Sequence, residues 1–260
     1  MEVPYLEQFV VGEVWAFIMI FVRMGAGIMI LPGFGEGYVS PRVRLLFALM
    51  TALVLTPVFG NAMPTIPGSP ITLGIYVLAE AITGIFMGLM VRFIVAVLHV
   101  AGTLISFQSA LALATVFDNS QGGQTTIIGN FMTIASVVLF FTLDLHHLML
   151  MGLADSYTLF IPGQFPIVGD FANASARLFQ DVFTLGVQLA APHIVISLIF
   201  YLGSGILARL MPTFQVFFVL IPPQILISFF LLFALFSTIM LTYVGFAEEI
   251  LLGFLDRPGL

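Results

Sequence analysis

The chain has 260 residues, of which 60% are hydrophobic and only 8% charged, and its formal net charge is -6. A soluble domain carries about a quarter charged residues, so a globule of this composition could not cover its surface in water, and the excess must face lipid or other apolar chains. The seven basic residues are all Arg, which excludes a basic patch for nucleic acid and a polybasic cluster for anionic lipid, and the absence of Cys removes disulfides, thiolate metal sites and Cys nucleophiles.

Taken in chain order, breakers and charge-free runs predict an all-α integral membrane fold of about six apolar helical segments. These are about Val10 to Leu31, Arg44 to Phe59, Leu73 to Ser106, Thr126 to Met151, Leu185 to Met211 and Gln215 to Glu248. A helix needs about 20 apolar residues to cross a hydrocarbon core of about 30 Å. The stretches Asn119 to Leu143, Val182 to Ala208 and Leu210 to Ala247 contain no Asp, Glu, Lys or Arg. Ahead of the first segment stand Glu2, Glu7 and Glu13 rather than basic residues, and no A-x-A site follows, so it reads as a retained helix and not a secretory leader. Pro64, Pro67 and Pro70 beside Gly and Asn predict a loop over Gly60 to Thr72. The most polar stretch, Asp155 to Thr184, predicts a long loop with room for a short amphipathic helix over Asp170 to Asp181. No repeat period and no polar module interrupts the pattern, so residues 1–260 read as a single membrane-embedded domain.

Orientation rests on Arg42, Arg44 and Arg209, which lie in short connections where basic residues favour the cytoplasmic side. They fall on alternate connections, a parity that places both termini and the Asp155 to Thr184 loop outside the cytoplasm.

The third segment is too long for one simple crossing, and it passes into SFQSALALATVFDNSQGGQT, residues 106 to 125. Small residues alternate there with Leu, Phe and Val before Asp118, Asn119 and the pair Gly122-Gly123. Backbone that leaves the helix at membrane depth must be buried in protein or line a water-filled space. A re-entrant or pore-facing loop is therefore expected, with Ser106, Phe107, Gln108, Leu111, Leu113, Val116, Phe117, Gly122 and Gly123 as its candidate residues.

Ionisable groups inside apolar segments need a partner or a task, because insertion of Arg or Asp at a helix centre costs roughly 2.5 to 3.5 kcal/mol. Arg23, Glu80 and Arg92 stand out. Glu80 and Arg92 lie about 18 Å apart along one helix and cannot pair within it, so each must find a partner elsewhere. A structural ion pair is the better supported reading than an ion path, since charge relays need a closer series of groups. Asp144, His146 and His147 suggest a metal site or an acyltransferase-like His-Asp pair only weakly, because consecutive His side chains on a helix point about 100° apart and no third or fourth ligand is near, so Asp144 at the end of an apolar segment reads better as an interfacial or helix-end group. His99 and His193 are isolated in apolar runs and suit helix-helix hydrogen bonds. Gly203-Ser204-Gly205 lacks the spacing of a nucleophile elbow and suggests close helix packing. Gly84 and Gly88 form a G-x-x-x-G pair that permits backbone approach, and Gly25 and Gly27 suit the same role. The 13 Met and 28 Phe suit a packed core, lipid contact or a deformable lining.

Five stretches in register then carry a resemblance. They are LPGFGEGYVSPRVRLLFAL (31 to 49), the helix of Glu80 and Arg92, FQSALALATVFD (107 to 118), DLHHLML (144 to 150) and APHIVISLIFYLGSGILARLMP (191 to 212). Together they resemble the flagellar export-gate family FliR and its counterparts in virulence type III secretion, over nearly the whole chain. The resemblance implies a structural subunit and not an enzyme, folded as kinked helical hairpins, with no cofactor. It implies assembly with the P- and Q-family subunits FliP and FliQ, beside FlhB and FlhA, into a helical ring around the path of unfolded export substrates. The implied place is the bacterial inner membrane at the flagellar basal body. The loop at 106 to 123 would correspond to the plug that closes the pore, and a seal must be apolar enough to dewet yet displaceable by cargo. The sequence departs from the family pattern after Pro212, where Thr213-Phe214-Gln215-Val216 and Ile221-Pro222-Pro223-Gln224 stand. Two other classes compete: a secondary transporter or channel with a buried Glu/Arg site, for which no inverted repeat is detectable, and an intramembrane enzyme on Asp144 and His147.

Overall fold

An apolar chain with few interior breakers satisfies its backbone within long helices, because lipid offers no hydrogen bonds. The computed structural model describes residues 3–111, 126–166, 168–211 and 216–255. Among these residues the fold is all helical: α1 (Val3–Ile28), α2 (Pro41–Phe59), a 3-10 turn (Gly60–Ala62), α3 (Pro70–Gln108), α4 (Ile127–Thr142), α5 (Leu145–Leu159), α6 (Val168–Leu210) and α7 (Val216–Leu255). Five helices are long and apolar enough to cross a membrane, or six if α4 and α5 count as one broken span. That matches the expected all-α membrane protein of about six segments.

Local chemistry explains most boundaries. Ser40 caps α2 with extended backbone, its hydroxyl accepting from the Val43 N–H at 3.4 Å, and Pro41 follows at the first helical position. The proline-rich connection yields only the turn Gly60–Ala62 before Pro70 opens α3. Two expectations need correction. The segment Thr126 to Met151 is not one helix, because Asp144 takes a left-handed conformation (φ 58, ψ 14) and separates α4 from α5. Asp is among the few L residues whose short polar side chain tolerates that region. The long loop over Asp155 to Thr184 is also mostly helical: α5 continues to Leu159 and α6 begins at Val168. The polar positions Asp170 to Asp181 ride on the first turns of α6, so polarity there marks a helix rather than a loop, and the connection itself shortens to the residues between Leu159 and Val168.

The described chain divides into two compact units. The first draws on residues up to Phe93, Leu143–Leu178 and those from Glu248 on, and the second on Ile94–Thr142 and Phe179–Ala247. In the first unit, α1 packs against α2 and α5. A Cβ at Gly84 of α3 would collide with the Arg23 carbonyl oxygen of α1, and one at Gly88 would come within 2.8 Å of the Gly27 carbonyl oxygen. The G-x-x-x-G pair therefore lets α3 lie on the α1 backbone, with Gly27 as its counterpart. A Cβ at Gly25 would make only ordinary contact with Ala48 at 3.7 Å, so the approach does not depend on Gly25.

That approach brings Arg23 to Glu80. Both side chains are buried (1% and 0% exposed), and the guanidinium grips the carboxylate with two bonds, Nε to Oε2 at 2.6 Å and Nη2 to Oε1 at 3.0 Å. Nη1 donates to the Ser156 carbonyl at 3.0 Å, Nη2 to the Phe160 carbonyl at 3.4 Å, and the Gly163 N–H donates to Glu80 Oε1 at 2.8 Å. The Tyr157 ring lies 4.2 Å from the guanidinium carbon. One ion pair thus joins α1, α3, α5 and the connection after α5. In the same unit Trp15 donates from its indole to the Pro64 carbonyl at 2.9 Å and ties α1 to the proline-rich loop.

The second unit uses a similar close approach, since a Cβ at Gly102 of α3 would sit 2.7 Å from the Gly129 Cα of α4. His99 Nδ1 meets the Thr133 hydroxyl at 3.1 Å between the same helices, as expected for His99. The Ser136 and Tyr243 hydroxyls bond between α4 and α7.

Removing one member of a buried pair strands the other charge and costs about 3 to 5 kcal/mol, whereas replacing both by apolar groups of similar volume is far milder. Arg23→Ala and Glu80→Ala should each sharply lower the unfolding temperature of the detergent-solubilised chain, followed by the fluorescence of its single Trp, Trp15. The double change Arg23→Met with Glu80→Leu should recover much of the loss. Gly84→Leu should destabilise comparably, through collision with backbone that cannot move aside.

Candidate functional site

The expected loop begins where α3 ends. Gln108 is the last helical residue, the Ser109 N–H still bonds the Ile105 carbonyl at 2.9 Å, and Ala110 then turns left-handed (φ 61) and stops the helix. A left-handed Ala carries a penalty of about 1 to 2 kcal/mol, so the surroundings must fix it there. Of the candidate residues, Ser106 is buried, Phe107 is 59% exposed, Gln108 closes the helix and Leu111 lies in the turn. Leu113, Val116, Phe117, Gly122 and Gly123 lie outside the described residues.

Within the second unit the end of α3 is gripped by polar groups. The Ser197 hydroxyl of α6 donates to Gln108 Oε1 at 2.5 Å, and Gln224 Nε2 of α7 donates to the Gln108 main-chain carbonyl at 2.8 Å and to the Tyr201 hydroxyl at 3.0 Å. These residues carry a signal that attention to charge alone misses. His193, Ser197, Tyr201 and Ser204 recur at spacings of four, four and three along α6, and Gln224 and Ser228 at four along α7. Polar residues on one face of an otherwise apolar helix point to a shared partner.

The other candidates scatter. Arg92 does not join Arg23 and Glu80; its Nη2 is 3.8 Å from Glu36 Oε1 and its Nη1 donates to the Ile30 carbonyl at 3.4 Å, with the side chain 48% exposed. Arg44 pins the connection between α1 and α2, donating from Nε and Nη2 to the Val39 carbonyl (3.1 and 2.9 Å) and from Nη1 to the Gly35 carbonyl (3.3 Å). Arg42 and Arg209 are exposed. The consecutive histidines do not diverge as expected: the rings of His146 and His147 lie with centroids 4.1 Å apart and planes tilted by 36°, and Asp144 supplies the third ligand atom that the sequence did not promise, all three within 4.8 Å of one another. Asp144 and His147 are largely exposed, and three ligands on an open surface fall short of a closed tetrahedral set. Gly203 and Gly205 face open space rather than a packed neighbour, against expectation, while Ser204 is buried and donates to the Tyr201 carbonyl.

Methionine and phenylalanine serve both core and surface. Met19, Met24, Met87, Met90, Met132, Met149 and Met240 are buried with Phe140, whereas Met29, Met50, Met151 and Met211 stand exposed with Phe107, Phe131, Phe218, Phe230 and Phe233. On α2 only Ala48, Ala52 and Thr56 are buried, and Leu45, Leu46, Leu53, Val54 and Val58 project outward. Apolar faces of this extent belong against lipid or neighbouring chains.

Comparison with known proteins agrees in length and order. The family described as bacterial export proteins, family 1, matches residues 14–250. Flagellar biosynthetic protein FliR of Caulobacter vibrioides is 36% identical over 92% of this chain and 95% of its own length. FliR of Bacillus subtilis is 31% identical over 86% of this chain and 87% of its own, and FliR of Pectobacterium carotovorum is 34% identical over 82% and 80%. With its apolar helices and this end-to-end match, the chain belongs to the bacterial export proteins, family 1.

Proposed function

We propose that the chain is a structural subunit of the flagellar type III protein export gate in the bacterial inner membrane. In this reading it assembles with FliP and FliQ, beside FlhB and FlhA, around the path for unfolded export substrates, and it works as a scaffold rather than an enzyme. The observation that carries the reading is the match to flagellar relatives along almost the full length of both chains. The outward apolar faces of α2, α6 and α7 support it, since they supply surface for lipid and sister subunits in one molecule.

Residues 106–123 act as the plug in this reading, and the whole chain serves as one functional domain. The grip of Ser197 and Gln224 on Gln108 supports the role, because a segment that seals a passage needs a fixed point from which to be displaced. A transporter working through Arg23 and Glu80 is disfavoured. The bidentate pair and the Ser156, Phe160 and Gly163 backbone groups already occupy the hydrogen-bonding capacity that a cargo ion would need.

Deleting residues 107–122 in cells that carry the complete gate should raise ion leakage across the inner membrane well above background. Leakage that stays at background in the assembled complex would refute the plug. Purification of the tagged chain in mild detergent should recover two small apolar partners in fixed ratio, read by mass spectrometry, and recovery of the chain alone would refute the gate assignment.

A further inference from the structure

Beside the Gln108 contacts, within the second unit, lies a cavity of ≈ 20 Å³. Its polar lining comes from Gln108, His193, Ser197, Gln224 and Ser228, with apolar side chains completing the wall. Measured as room for the centre of a water molecule, a single water needs about 10 to 15 Å³, so the space suits one water.

The wall is short of hydrogen bonds. His193 is 2% exposed and Ser228 8%. Neither ring nitrogen of His193 nor the Ser228 hydroxyl has a partner of normal hydrogen-bond geometry among the described residues, and the Ser228 backbone offers the ring at most one long, poorly aligned hydrogen bond. A neutral imidazole presents one donor and one acceptor. Leaving at least one of them unmet in an apolar interior is costly, and cavities that stay dry are lined by apolar groups alone. Ser228 adds an orphaned hydroxyl on the same wall. A water makes two to four hydrogen bonds in such a place, which is the number these groups can offer.

Both flanking helices are weakened next to this point. Pro192 precedes His193 in α6, and Pro222-Pro223 precede Gln224 in α7. A helical proline lacks the N–H that would bond the carbonyl four residues earlier, so Gln188, Phe218 and Val219 lose that restraint. Contacts at the cavity supply stiffness where the helix ladders do not.

We propose that this cavity is a hydration site for one water held by His193 and Ser228, and that the water and Gln224 together anchor the C-terminal end of α3 to α6 and α7. The anchor does not depend on the gate assignment, because it concerns local opening of the chain itself.

The test uses the absence of Cys in the chain. Ser109→Cys places a thiol at a position 0% exposed, one residue past Gln108. Its reaction with N-ethylmaleimide, in membranes containing the full-length chain, reports how often the α3 end comes loose. Adding Gln224→Leu should raise the labelling rate about fivefold, the factor for loss of one ordinary hydrogen bond. Should that variant fail to accumulate, Tyr201→Phe is read instead, since it removes one bond to Gln224 with little change of shape. An unchanged rate in whichever variant is read overturns the anchor. His193→Leu distinguishes a wet cavity from a dry one by the sign of its effect. If a water is present its partner is lost and labelling rises, whereas in a dry cavity an orphaned ring is removed and labelling stays level or falls, which overturns the hydration site. His193→Asn, which keeps a donor and an acceptor, should label close to the parent rate; a rate as high as that of His193→Leu would likewise count against the water.

Discussion

A guanidinium and a carboxylate that leave water together lose several kcal/mol of hydration each, and only near-ideal geometry with further hydrogen bonds restores the balance. The Arg23–Glu80 pair meets that condition with two direct bonds, backbone partners at Ser156, Phe160 and Gly163, and a Tyr157 ring beside the guanidinium. The arrangement requires α3 to touch the α1 backbone, which Gly84, Gly88 and Gly27 allow. It also requires the connection after α5 to fold back so that the Gly163 N–H reaches the carboxylate. Oily side chains alone would tolerate many sliding arrangements of these helices. A single satisfied pair selects one register, because any slip strands a charge in an apolar interior.

Length imposes the second constraint. At 1.5 Å per residue, the 39, 43 and 40 residues of α3, α6 and α7 make about 59, 65 and 60 Å of helix, roughly twice the hydrocarbon thickness. Such helices must tilt, bend or run on beyond the lipid. The interior prolines of α6 and α7 mark where bending is easiest, and the polar start of α6, including Asp170, Arg177 and Asp181, suits surroundings outside hydrocarbon. Apolar length in this chain therefore does not translate one-for-one into membrane crossings.

Much of this was legible before any coordinates, and the parts that were not share a cause. Composition excludes a soluble fold, and prolines 64, 67 and 70 mark the connection before α3, because these signals are local. Composition also singles out Arg23 and Glu80 as groups in need of partners, but that they serve each other depends on an approach across 57 positions, which no periodicity reveals. The Glu36 partner of Arg92 is hidden in the same way. The break at Asp144 is half legible, since the charge-free run ends at Leu143 and a carboxylate there suits a helix end, but the left-handed φ that separates the two helices is not written in the hydropathy pattern. Over Asp155 to Thr184 polarity misleads, since a polar helix face and a loop share a composition. The grip on Gln108 was available in the spacing of His193, Ser197 and Tyr201, yet neutral polar residues in an oily chain attract less notice than charges.

The left-handed Asp144 also bears on how the chain is made. The helices on either side of it have 16 and 15 residues, about 24 and 22 Å, and each falls short of spanning the bilayer unaided. A stretch that short gives the insertion machinery no independent stop-transfer signal. This part of the protein must enter lipid as a joined pair or wait for neighbouring segments to shelter it, so biosynthesis and tertiary assembly are coupled at that point in the sequence.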